Sequence, residues 1–138
     1  MNWVHWALLS AVFAGATAVL AKAGVRDIDS NLATAIRTVV ILIFAWLIAW
    51  RTGQVSLAAV SGRTWVFLIL SGLATGASWL CYFRALQLGP ASRVAPIDKL
   101  SVVVAMTLAA LFLGEHLGWR HLLAGALIVA GSVLLART

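Results

Sequence analysis

Five apolar stretches, at 3–21, 32–50, 64–83, 94–113 and 119–136, fill almost the whole of a 138-residue chain and leave short polar breaks between them. Each is close to the ~20 residues with which a helix crosses a hydrocarbon layer of about 30 Å. Once five such helices are drawn, too few residues remain to build a water-facing exterior. The chain is 63% hydrophobic and 10% charged, where a soluble domain carries about 25% charged residues. The expected fold is an all-α integral membrane protein, one transmembrane domain over 1–138 with five transmembrane helices. An odd count puts the two termini on opposite sides. Such a unit can pair with an inverted copy of itself, the symmetry on which many secondary transporters are built.

Several other function classes fall away. The first stretch does not read as a cleaved signal peptide: no basic residue precedes Trp3, and the apolar run exceeds the usual ~7–15 residues. Cys81 is the single cysteine, so neither a disulfide framework nor a cysteine metal cluster is expected. The net charge of +6 comes from basic residues scattered at helix ends, not from a run that would track nucleic acid. His116 and His121 are five apart, not the four that stack two metal ligands on one helix face. There is no phosphate loop, no HExxH and no GxSxG. No catalytic residue, metal or cofactor is expected, and the chain is not read as an enzyme.

The threading can be checked by charge and by tryptophan. Let side A hold the N-terminus and side B face it across the bilayer. Lys22, Arg26, Arg37, Arg84, Arg93, Lys99 and Arg137 gather towards side B, and Arg51, Arg63 and Arg120 towards side A. The positive-inside rule favours side B as cytoplasmic. Without Arg37 and Lys99, which sit inside helices, the bias falls to five against three. So slight a margin permits insertion in both orientations, and taken with the symmetry of an inverted pair it leads to the expectation of a mixed population. Trp3, Trp6, Trp46, Trp50, Trp65 and Trp119 all fall near side A, and Trp79 lies within a stretch. Indole rings favour the headgroup boundary, so most of these are expected to anchor helices, with Trp46 and Trp79 the better candidates for touching a solute.

Two helices are too short unless they carry charge into the membrane. Residues 38–50 and 100–113 number 13 and 14, about 20 Å each at 1.5 Å per residue. Both helices must therefore begin earlier and take in Arg37, Asp98 and Lys99. The second is expected to start at Ser30 or Asn31, good capping residues, and the fourth around Pro96. Ionisable residues inside a span are costly and mark function by default, although long basic side chains can also snorkel to the headgroups. Asp98 is too short for that. Its expected partners are Arg37, Arg84 or Arg93, since adjacent Lys99 points away from it on a helix. Asp98 and Ser101 share a helix face, which gives the fourth helix a polar stripe.

Small residues mark close helix approach. The third stretch carries Gly72 and Gly76 as GxxxG, flanked by Ser71, Thr75 and Ser78; the fifth carries Gly125, Ala126, Ala130 and Gly131. These faces are expected to pack, within the chain or between chains.

From Tyr82 the chain reads Tyr-Phe-Arg-Ala-Leu-Gln-Leu-Gly-Pro-Ala-Ser-Arg-Val-Ala-Pro-Ile-Asp-Lys-Leu-Ser, then an apolar run to Phe112-Leu-Gly-Glu115, and closes with Gly125-Ala-Leu-Ile-Val-Ala-Gly131. Over essentially its full length it resembles the EamA-like repeat of the drug/metabolite transporter superfamily. The resemblance implies a five-helix unit and a transport function, without naming a substrate. Family members commonly contain two such repeats in inverted orientation, whereas this chain has one. By resemblance Arg37 matches a basic residue common in the second helix, and Glu115 an acidic residue after the fourth. Glu115 is expected to accept from backbone N–H groups opening the fifth helix.

The resulting expectation is a multi-pass protein of the bacterial inner membrane. It would carry small metabolites or drugs by alternating access, as a homodimer whose antiparallel arrangement would recreate the inverted repeat. Its partners are then a small-molecule solute, the lipid bilayer and a second copy, with no nucleic acid. Arg37, Trp46, Ser78, Trp79, Tyr82, Asp98, Lys99 and Ser101 are the residues expected to bind solute or line its path. The alternative is a non-transporting subunit, or a half-transporter that needs a paralogous partner.

Overall fold

A computed structural model describes residues 2–53 and 56–137. The helices are α1 (Trp3–Gly24), α2 (Ser30–Arg51), α3 (Gly62–Leu88), α4 (Ala91–Asp98), α5 (Leu100–Phe112) and α6 (Trp119–Arg137), with a 3-10 turn at Leu57–Ala59. The described residues hold no strand. α4 and α5 are two pieces of one span, Ala91–Phe112, so the six helices make five apolar segments long enough to cross a membrane. The protein is an all-α, multi-pass membrane protein.

The helix ends differ from expectation for local reasons. α2 begins at Ser30, but Asp29 caps it, its carboxylate accepting from the N–H groups of Asn31 and Leu32 at 2.9 and 3.2 Å. One carboxylate oxygen satisfies two of the orphan donors of the first turn. α3 outruns its apolar stretch to Leu88, because its last polar residues are tied down. Arg84 donates to the Gln87 side-chain carbonyl at 2.7 Å, and Gln87 donates to the Ile28 carbonyl at 2.9 Å. Gly114, at φ +69, turns the chain after α5, a conformation open to glycine without a Cβ penalty. Glu115 does not cap α6: its side chain has no hydrogen bond among the described residues, and α6 opens instead with His121 N–H donating to Gly118 O at 2.9 Å.

The span at 91–112 departs most. It starts at Ala91, not Pro96, and breaks at Lys99. Pro96 has no N–H to give to the carbonyl four residues before it, which interrupts the helical ladder. The chain responds with tighter i→i+3 bonds, Lys99 N–H to Pro96 O at 3.1 Å and Val102 N–H to Lys99 O at 3.0 Å.

The chain forms two compact units, one of Met1–Lys22 with Leu88–Thr138, the other of Ala23–Gln87. In the first, α4 and α5 both pack on α6. Gly125 and Ser132, two turns apart on α6, are buried there, and the Ser132 hydroxyl donates to Pro96 O at 2.9 Å. Lys22 Nζ donates to Gly89 O at 2.8 Å, which ties the end of α1 to the segment before α4. In the second unit Phe83 and Leu86 of α3 and Ala33 and Thr34 of α2 are buried. The Thr34 and Thr38 hydroxyls donate back to the carbonyls of Ser30 and Thr34, both at 2.8 Å.

Candidate functional site

Arg37 sits seven residues inside α2, about 10 Å from its start at 1.5 Å per residue. Its guanidinium carbon lies over the Trp79 ring, 4.4 Å from the centroid, and 5.4 Å from the Phe83 centroid. Trp79 and Phe83 are four apart on α3, hence on one face of it. Attraction between a cation and an aromatic face contributes about 0.5–2 kcal/mol, rising as water is removed. Phe83 is buried, Arg37, Trp79 and Tyr82 are half-buried, and Ser78 is exposed. Two expected site residues, Arg37 and Trp79, thus meet directly. Phe83 was not among them, though its spacing from Trp79 carried the signal.

Of the arginines expected as partners of Asp98, Arg93 shares its unit and makes no ion pair with it among the described residues. The partner of Asp98 is Lys99, Nζ to Oδ2 at 3.5 Å. The expectation that neighbours diverge assumed one continuous helix, and α4 ends between these two residues. The same break separates Asp98, in the last turn of α4, from Ser101, in the first turn of α5, so the polar stripe is interrupted. Lys99, with Ala95, Pro96, Leu127, Ile128, Gly131 and Ser132, lines an open groove of about 430 Å³. Ser132 is a second residue that sequence reasoning passed over, being hidden in a small-residue run. Trp46 lies with Leu42, Ile43, Leu47 and Trp50 along an apolar groove of about 480 Å³ on α2.

The small residues divide. A Cβ added at Gly125 would lie 3.9 Å from Val103 Cγ2, so this glycine faces α5 closely, whereas Gly72, Gly76 and Gly131 meet nothing within 4 Å. Ala126 and Ala130 are exposed. Within the chain it is the face of Gly125 and Ser132 that packs, one residue round from the face of Ala126 and Ala130. The described residues hold no group of three or more His, Cys, Asp or Glu that could bind a metal.

The sequence model of the EamA-like transporter family matches residues 1–137. This chain belongs to the EamA-like transporter family. A curated relative from Sinorhizobium sp, described as an uncharacterized transporter in the cobO 3' region, is 58% identical over 136 residues, covering 98% of this chain and 96% of the relative. The relative therefore has nearly the same length. No solved structure matches. As an EamA-like protein of the drug/metabolite kind, the chain is a membrane transporter, and family and relative alike point away from an enzyme.

Proposed function

We propose that two copies of this chain form a secondary transporter for small metabolites or drugs, working by alternating access in a bacterial inner membrane. The observation that carries the reading is the family match over 1–137 on a chain with five spans. The bacterial relative of nearly equal length supports both the compartment and a unit of this size. An inverted second copy supplies the symmetry on which alternating access rests. The open small-residue faces at Gly72, Gly76, Ala126, Ala130 and Gly131 offer it close approach. Arg37, Trp46, Ser78, Trp79, Tyr82, Asp98, Lys99 and Ser101 remain the candidates for binding the solute or lining its path. The broken fourth span fits this role, because irregular backbone at membrane depth is tolerated where it lines a cavity or is covered by protein.

Purified protein in liposomes should show saturable counterflow of a solute from a metabolite panel, abolished by Asp98→Asn or Lys99→Ala. Intact counterflow in both variants removes the pair from the path. A stoichiometric second protein copurifying from native membranes, with no counterflow by the chain alone, establishes the half-transporter instead. Reporters fused after residue 138, one active inside and one outside, should both give signal. Signal from the inside reporter alone excludes an antiparallel homodimer.

A further inference from the structure

We infer that Arg37 is the recognition point for an oxyanion, a carboxylate or phosphate borne by the solute, an assignment that rests on the transporter reading above. Trp79 lies nine residues from the end of α3, about 13 Å by helical rise. A guanidinium held 4.4 Å over that ring is thus fixed beside the apolar stretch that closes at residue 83, about one helical turn in from its polar end. Aromatic faces meet the flat of a cation but cannot accept its in-plane hydrogen bonds. Among the described residues of its own unit, Ala23–Gln87, no carboxylate pairs with the Arg37 guanidinium; its neighbours there are the Trp79 and Phe83 rings and the Tyr82 phenol. Its fork of N–H donors matches the two oxygens of a carboxylate or phosphate.

The distribution of acids sharpens the sign. The chain has four acidic residues, Asp27, Asp29, Asp98 and Glu115. Asp27, Asp29 and Glu115 precede helices, and Asp29 already accepts two backbone N–H groups. Asp98 is the acid within a span, and Lys99 partners it at 3.5 Å. The one acid within a span is thus already shared with a cation, whereas no carboxylate of its own unit faces Arg37. An amine would meet repulsion at Arg37, a neutral solute would leave its donors unmet, and an oxyanion satisfies both charge and fork. Trp79 and Phe83 then act as positioning residues, fixing the guanidinium from behind.

The test uses purified protein in a neutral maltoside detergent, titrated with benzoate, inorganic phosphate, benzylamine and a short-chain phosphatidylglycerol, and read by tryptophan fluorescence. Benzoate or phosphate should bind saturably and benzylamine should not. Arg37→Gln should weaken the anion at least about tenfold, as expected for a charged hydrogen-bonded contact. Arg37→Lys, which keeps the charge but not the fork, should fall between; it also serves as the readout if Arg37→Gln does not fold. The same solutes are then run as counterflow in phosphatidylcholine liposomes. Anion binding lost in Arg37→Gln, without counterflow, keeps the site and sinks the transporter reading. Benzylamine exchange untouched by Arg37→Gln keeps transport and overturns the site. A response to phosphatidylglycerol alone makes Arg37 a lipid-headgroup contact, and silence towards every probe removes the anion site; either result overturns the assignment.

Discussion

The two compact units settle their helices, and their intramembrane charges, in different ways. In the unit of α2 and α3 the enclosed residues of α3 are bulky, Phe83 at 3% exposed and Leu86 at 0%, against small ones on α2, Ala33 and Thr34. The charge there is a lone cation braced by ring faces. In the unit of α4, α5 and α6 the buried positions are small, Gly125 and Ser132. The charge there is neutralised by a neighbour at a helix break. Bulk holds helices by filling volume, which tolerates loss poorly. Small residues hold them by letting backbones approach, which tolerates gain poorly. The difference teaches that helices of similar length and hydropathy can carry a charge into the membrane by unrelated devices.

The comparison can be broken at either end. Leu86→Ala empties a fully enclosed site and should cost roughly 2–5 kcal/mol, read as a lower midpoint in denaturant unfolding followed by circular dichroism. A change below about 1 kcal/mol would mean that bulk is not what holds that unit. The opposite insult, Gly125→Leu, should cost about 1–3 kcal/mol by overpacking against Val103. Gly125→Ala, whose added carbon stays at ordinary contact distance, should be neutral or stabilising through helix propensity. If Leu is tolerated as well as Ala, close approach is not the principle of the second unit.

Smaller effects sharpen the picture. Ser132→Ala removes the hydroxyl that supports Pro96 O and should cost about 1 kcal/mol; the same unfolding measurement in a Pro96→Ala background should show less, since α4 then needs no brace. The smallest term is the Asp98–Lys99 pair, whose side chains are 35% and 55% exposed. A double-mutant cycle with Asp98→Asn and Lys99→Gln should give a coupling of no more than about 1 kcal/mol. A coupling of several kcal/mol would make the pair a structural clamp, and its proposed part in the solute path would need another basis.

The five spans were legible because bilayer thickness sets helix length and composition reports it directly. Their ends were less so. The third stretch read as closing at residue 83, yet α3 continues to Leu88, with Arg84 bonded to Gln87 and Gln87 to Ile28 O, a contact 59 residues away in sequence. Pro96 read as a helix start and proved to be an interior break. Arg37 was legible as a deep charge by simple arithmetic on the residues that follow it, and Trp79 stood out as the indole away from side A. Their meeting was not legible.

The number of spans, the alternation of their ends and the depth of Arg37, Asp98 and Lys99 follow from the sequence alone, because each depends on counting residues along an axis of fixed rise. The tertiary structure alone decided which face of each helix turns inward: Gly125 and not Gly72, Phe83 beside Trp79, Lys99 and not an arginine beside Asp98. In a soluble helix an apolar stripe announces that rotation. Here the helices are apolar around most of their circumference, since lipid accepts what a core would, so hydropathy leaves the rotation open. Packing volume and a few hydrogen bonds then close it.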